Sequence, residues 1–274
     1  MNVTPGLSRR CGLSMSVGIA VAVLAMAGVA HGQWVDYPTP GLPRTRDGKP
    51  NLTAPAPRTA DGKRDLSGIW LIDDLEKGPK RHFFDLAQDL KPDAVVMLPW
   101  AVALQRQRED DLHKDHPYSR CIPPSPPGSS MLLHPFKIVQ TPKLTVMLHE
   151  MPTGSTFRQV FTDGRPLPID PQPAWLGYSV GRWDGDTLVV DTIGFHDQGW
   201  LDAGVGRPHS DALHLTERFR RRDFGHIDVD ITIDDPKTFT KPWSVKIGLQ
   251  LAPDTELVEG VCENERDLGH LVGK

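Results

Sequence analysis

Residues 194–226 gather four of the chain's eleven histidines, His196, His209, His214 and His226, with Asp197, Asp202, Asp211, Glu217 and Trp200. Titratable groups beside aromatic rings are the usual raw material of a ligand site. Glu217 gives the sharpest argument. Period-two alternation puts Leu213, Leu215, Glu217 and Phe219 on one face of a strand and His214, Thr216, Arg218 and Arg220 on the other. The returning strand collects Ile227, Val229, Ile231 and Ile233 on a single face, so pairing the two apolar faces turns Glu217 inward. A carboxylate there either meets a buried cation or has a raised pKa, and the second state suits a general acid or base. Both readings stand at this point: Glu217 as a catalytic group with His209 or His214, or Glu217 in an internal ion pair with an arginine such as Arg182 or Arg158.

His196 and Asp197 follow an expected strand and lead into a glycine-bounded loop through Gly199 and Trp200, and loops on a rigid scaffold are where site residues usually sit. His196, Asp197, Trp200, Arg182 and Asp211 are therefore the candidate ligand-binding residues. His209 and His214 are five apart, which sends them to opposite faces of a strand. Only an irregular turn could bring them together with Asp211 or His226 on a metal, so no metal and no cofactor are expected. His209, Ser210 and Asp211 contain the residue types of a catalytic triad, yet sequence neighbours cannot adopt triad geometry with one another; Ser210 and Asp211 read as a cap or turn at the start of the strand. The chain has no HExxH, Walker loop, nucleophile elbow, CxxC pair or dinucleotide fingerprint. The chemistry left open is addition, elimination, isomerisation or hydrolysis without a covalent intermediate, or ligand binding without reaction.

The elements that must position these groups are mostly strands. Segments 67–72, 144–150, 156–162, 176–183, 187–193, 213–220, 227–233, 243–251 and 256–261 are short runs rich in branched and aromatic residues, and Asp163-Gly164 and Asp184-Gly185-Asp186 signal hairpins. With no helices alternating between them, the strands must pair mainly antiparallel. Sequential hairpins favour a lipocalin-like barrel over a β-sandwich. One helix is expected between Lys91 and His113, started or kinked at Pro99. Residues 115–130, with Pro117, Pro123, Pro124, Pro126 and Pro127, read as an ordered loop. Trp70, Trp183 and Trp243 are expected in the core, and Trp175 and Trp200 at a rim. Ahead of the domain at 67–274 lies a Pro/Gly-rich arm, 33–66, with a near-repeat at fourteen residues: Arg44-Thr45-Arg46-Asp47-Gly48-Lys49 recurs as Arg58-Thr59-Ala60-Asp61-Gly62-Lys63. Two Asp-Gly turns suggest a segment that wraps or tethers the domain.

Residues 1–32 read as a signal peptide: Arg9 and Arg10 precede an apolar run, and Ala30-His31-Gly32 offers a cleavage site before Gln33. The run is shorter than the roughly 20 residues a span needs, so no membrane span is expected after cleavage. Arg9-Arg10 also fits twin-arginine export, although Cys11-Gly12 replaces the bulky residue expected there. Losing those two arginines moves the net charge from -4 to -6. A mildly acidic chain without basic tracts argues against a nucleic-acid partner; the run Arg218 to Arg222 ends at Asp223 and reads as a solvated hairpin end. Cys11 leaves with the signal, and Cys121 and Cys262, an even pair in an exported protein, are expected to form a disulfide.

The segments Asp65-Leu66-Ser67-Gly68-Ile69-Trp70, Tyr178-Ser179-Val180-Gly181-Arg182-Trp183-Asp184-Gly185-Asp186-Thr187-Leu188-Val189-Val190-Asp191-Thr192 and Pro208-His209-Ser210-Asp211-Ala212-Leu213-His214-Leu215-Thr216-Glu217-Arg218-Phe219 resemble those of an uncharacterised family of exported bacterial proteins, found in acidobacteria and some proteobacteria. The likeness covers most of the chain from about Arg44. It implies one exported domain and brings no activity with it. The expectation is a periplasmic or secreted barrel that takes up a small, partly apolar molecule, with or without acid/base catalysis; the rival from another class is a structural or envelope-associated module. The sequence leaves the oligomeric state open.

Overall fold

A computed structural model describes residues 37–74, 81–132, 134–151, 156–258 and 260. The expected signal peptide and Cys262 lie outside these residues, so the Cys121–Cys262 bridge cannot be traced in it. Nine strands run in sequence: β1 (Gly68–Ile72), β2 (Phe136–Gln140), β3 (Leu144–His149), β4 (Thr156–Phe161), β5 (Tyr178–Asp184), β6 (Thr187–Ile193), β7 (His214–Arg221), β8 (His226–Asp234) and β9 (Trp243–Leu251). Each pairs with the next and β9 returns to β1, closing the barrel. The fold is the lipocalin-like alternative, not the sandwich. Every pairing is antiparallel except β4–β5, which is parallel through Val160↔Ser179 and Phe161↔Val180. Parallel neighbours cannot be joined by a tight hairpin, so residues 162–177 carry the chain back along the barrel.

The alternation that predicts the β7–β8 hairpin is the alternation that fills the barrel. Leu215 faces Ile233, Glu217 faces Ile231 and Phe219 faces Val229, all buried. Each fully buried Leu, Ile, Val or Phe contributes about 1.5–3 kcal/mol. Trp70, Phe136, Met147, Leu188, Val190 and Leu249 complete the same core. Two strand assignments differ from the sequence expectation. β2 lies ahead of the first strand singled out after the Pro-rich segment. Residues 256–258 carry no strand, because β1 already takes β9's outer edge through Trp70↔Leu251 and Ile72↔Leu249 and a closed barrel has no edge for a tenth strand.

The two barrel ends are built differently. At one end sits the helix α1 (Pro99–Asp110), started rather than kinked by Pro99, whose missing N–H costs nothing in the first turn. The Leu98 N–H donates to the Thr238 carbonyl in the β8–β9 connection (2.8 Å), and a bridge joins Met97 to Phe239. Residues 111–132 and 134–135 follow as a loop with two short 3-10 turns, Pro117–Arg120 and Gly128–Ser130. The β6–β7 connection, 194–213, folds onto the same end.

Residues 38–66 of the arm dock at the opposite end, within the same compact unit as the barrel. Its two repeats fold alike, bond for bond. In the first, the Thr45 N–H donates to the Lys49 carbonyl (2.9 Å), the Gly48 N–H to the Thr45 carbonyl (3.0 Å), and Arg44 Nη1 to the Gly48 carbonyl (3.0 Å). In the second, Thr59, Lys63, Gly62 and Arg58 repeat those bonds at 2.9, 2.9 and 2.7 Å. Gly48 and Gly62 sit at φ +81° and +80°, which only glycine adopts without strain. Each leading arginine reaches a barrel aspartate, Arg44 to Asp254 (2.6 Å) and Arg58 to Asp186 (2.8 and 2.9 Å). Between the turns, the N–H groups of Phe224 and Gly225 in the β7–β8 turn donate to the Ala54 and Leu52 carbonyls (2.7 Å each). Among the described residues no helix is long and apolar enough to cross a membrane.

Candidate functional site

Glu217 enters the barrel interior from the middle of β7 and is 1% exposed. Arg158, on β4, meets it there: Nη2 donates to Glu217 Oε2 (2.5 Å) and to Thr192 Oγ1 (2.7 Å), and Nε donates to Ser179 Oγ (3.0 Å). The ion-pair alternative thus describes Glu217, with Arg158 as the cation. The carboxylate is held as a counter-ion, and its bond to the guanidinium leaves the acid/base assignment without a free carboxyl group to carry it. Arg182 is elsewhere, largely exposed and paired with Asp191 on the outer face of the barrel. His214 also faces outward, with Nε2 3.1 Å from Asp191 Oδ1, on the side of β7 opposite Glu217. Alternation foresees that separation, and it removes His214 as a partner for Glu217.

Above this pair the interior stays polar. His149, the last residue of β3, is buried and stacks on Phe136 with ring centroids 5.3 Å apart. Burial, helped by the Arg158 charge, pushes its pKa down to about 3; the Ser129 carbonyl beside the ring opposes the shift, but no hydrogen bond of good geometry reaches either ring nitrogen. Arg158 Nη1 and the hydroxyls of Ser129 and Ser130 are likewise buried without a hydrogen-bond partner. Buried polar groups are paired in more than nine cases in ten, and His113, Tyr118, Arg207, Thr238 and Trp243 also hold buried polar atoms without a hydrogen-bond partner. The walls are apolar and adaptable, with Met131, Met147 and Phe136. His149 also borders a groove of about 330 Å³ on the outer side of β3 and β4, with Leu148, Glu150, Thr156, Phe157, Leu257 and Val258.

The β6–β7 loop forms a cap over this end. His209 is buried: Nδ1 donates to the Ser210 carbonyl (3.2 Å), which leaves Nε2 to accept from Ser125 Oγ (3.2 Å). Burial lowers the imidazole's pKa and keeps it neutral. Gly199 seals this pair, since a Cβ there would lie 2.4 Å from both His209 Nε2 and Ser125 Oγ. Ser210 makes the turn its type suggests, Oγ accepting from the Ala212 N–H (3.0 Å), while its own N–H and hydroxyl donate to Asp235 (2.6 Å each). Asp202 receives the Arg207 guanidinium and the N–H groups of Leu86 and Arg207, and burial raises its pKa to about 6. Comparisons with protein-family models, with curated proteins and with solved structures give no match.

Of the remaining sequence candidates, Asp197 and Trp200 share one outer cleft and the others lie apart. Trp200 is 5% exposed, with the Arg108 guanidinium 4.4 Å above its ring and His116 and His113 at 4.8 and 5.5 Å. Its faces are taken up, and it pins the cap to α1 and the Pro-rich loop. Asp197 reaches an outer cleft of about 420 Å³ shared with Arg108, His113, Asp115 and Arg120. His196 stacks on Trp175 at 4.2 Å, and Asp211 bonds to Lys237 at the surface (2.7 Å). Among the described residues no three His, Cys, Asp or Glu side chains stand where they could hold a metal ion. Sequence reasoning named Arg158 only as one possible ion partner and passed over His149, Ser125, Ser129 and Ser130. Alternation held the signal for two of them: Arg158 with Val160, and His149 with Met147, fall on the inward faces of their strands.

Proposed function

We propose that this protein binds a small, partly apolar molecule at the capped end of the barrel, without chemical turnover at Glu217. The ligand's polar end sits against Arg158 Nη1, His149 and the Ser129 and Ser130 hydroxyls, and its apolar part lies against Phe136, Met131 and Met147. The observation that carries this reading is the set of buried polar atoms without hydrogen-bond partners inside an otherwise apolar barrel. Desolvating such groups without a partner costs about 1–3 kcal/mol each, a cost that a bound polar group offsets. The β6–β7 loop at this end, held through the His209–Ser125 contact to the loop that carries Ser129 and Ser130, supports the role of a cover. Export to the periplasm or beyond, as the signal sequence suggests, is part of the proposal, since a carrier of this kind meets its ligand outside the cytoplasm.

Native mass spectrometry of the protein purified from the periplasm, followed by denaturation and identification of what is released, tests the reading. A stoichiometric organic molecule that is reduced at least several-fold in a His149→Phe variant supports it. Protein that carries nothing and takes up nothing from a periplasmic extract removes it and leaves the structural or envelope-associated alternative.

A further inference from the structure

The charge balance beneath the cap decides what kind of molecule can enter. Arg158 carries a positive charge that Glu217 cancels at 2.5 Å, with both side chains 1% exposed. His149, pushed down to about 3 by burial and by the neighbouring guanidinium, is neutral at neutral pH. Ser129, Ser130, Ser179 and Thr192 add no charge. An ionised ligand would therefore bring an unbalanced charge into a barrel walled by Met, Phe, Leu and Val, where desolvation is most costly. The unpartnered atoms also set the complementary group. Arg158 Nη1 can only donate, the two serine hydroxyls can donate or accept, and a neutral imidazole offers one donor and one acceptor. A group that accepts from a guanidinium and bears no charge satisfies this arrangement.

We infer that the ligand is an uncharged molecule with an acceptor oxygen of the carbonyl type, an ester, ketone or amide on an apolar body, and that carboxylates and amines of the same size are excluded. Glu217 is then a positioning residue that sets selectivity: it neutralises Arg158 so that the guanidinium hydrogen-bonds a neutral oxygen instead of capturing an anion. The inference rests on the ligand site proposed above and adds its chemical class.

Isothermal titration calorimetry of the full mature chain at neutral pH, with methyl heptanoate, octanoate and octylammonium as size-matched probes, tests it. The ester should bind at least about tenfold more tightly than either ion. In Glu217→Gln, which keeps an oxygen on Arg158 but removes the charge, the order should reverse in favour of octanoate, again by about tenfold. His149→Phe, which keeps the stacking on Phe136 and deletes two polar atoms, should weaken the ester about tenfold without improving octanoate; it also serves as the probe variant should Glu217→Gln fail to fold. Octanoate bound by the wild-type protein as tightly as the ester overturns the ligand class while leaving a binding site in place. If no probe binds and the protein carries no co-purified molecule, the site itself is refuted along with its ligand class.

Discussion

At the scale of the residue, Glu217 and Arg158 stabilise only as a pair. Removing one partner strands the other charge in an apolar interior, which typically costs about 3–5 kcal/mol. Glu217→Ala should therefore lose about that much in urea unfolding, and Arg158→Ala a similar amount. The double variant should cost clearly less than the sum, because neither charge is then stranded. Additive losses would mean that the two groups do not depend on each other. His149 supplies a pH signature. Its folded-state pKa, about 3, lies below the value of 6.5 for an unburied histidine, so the unfolded chain takes up the proton first. Its contribution to stability is present above 6.5 and is lost as the pH falls toward 3. Asp202 acts in the opposite sense: raised to about 6, it contributes below the ordinary carboxylate range and loses that contribution as the pH rises through 6. His149→Phe should therefore make stability less acid-sensitive between pH 4 and 6, by up to about 1.4 kcal/mol per pH unit. An unchanged slope would show that the imidazole protonates in the folded protein.

At the scale of the element, the arm and the cap differ in how they are fastened. The second arm turn hangs on Asp186, which takes Arg58 through two bonds and Arg64 through a third (3.0 Å). These groups are partly exposed, and exposed pairs contribute roughly 0–1 kcal/mol. Asp186→Ala should leave the melting temperature nearly unchanged while trypsin cleavage at Arg58, Lys63 or Arg64 speeds up several-fold; cleavage at the wild-type rate would mean that the other contacts, among them the bonds to Phe224 and Gly225 and the Arg44–Asp254 pair, suffice to hold the arm. The elements were legible in the sequence to different degrees. The β7–β8 hairpin was readable because two long strands alternate cleanly, and α1 because Pro99 marks its start. β2 is only five residues long and follows a Pro-rich stretch, so its period of two had no room to show. The strand expected at 256–261 has suitable residues, but barrel closure, a long-range event, leaves its described part, 256–258, no edge to pair with. The site was half legible for the same reason. Alternation turns Glu217 inward, but whether it meets Arg158 or Arg182 depends on strands 59 and 35 positions away, and no local pattern encodes the contact between His209 and Ser125.

At the scale of the whole molecule, the remaining question is what fastens the capped end to the rest of the chain. Cys121 ends the 3-10 turn Pro117–Arg120 in a left-handed conformation, φ 56°, within the loop that supplies Ser125, Ser129 and Ser130 to the site. Cys262 lies eleven positions beyond the end of β9, and a bond between them would tie the chain's last segment to that loop. In an oxidising compartment such a pair is expected to close. Linking residues more than a hundred positions apart stabilises by about 4–5 kcal/mol in the chain-entropy model. Protein recovered from the periplasm should therefore begin at Gln33, give a Cys121–Cys262 linked peptide in a non-reducing digest, and melt several degrees lower after reduction. Binding of methyl heptanoate should weaken on reduction as well, since the loop carrying Ser129 and Ser130 loses its tether. Free thiols at both positions in the exported protein would dispose of the bridge and leave the cap to its non-covalent contacts, Trp200, Asp202, His209–Ser125 and Ser210–Asp235 among them.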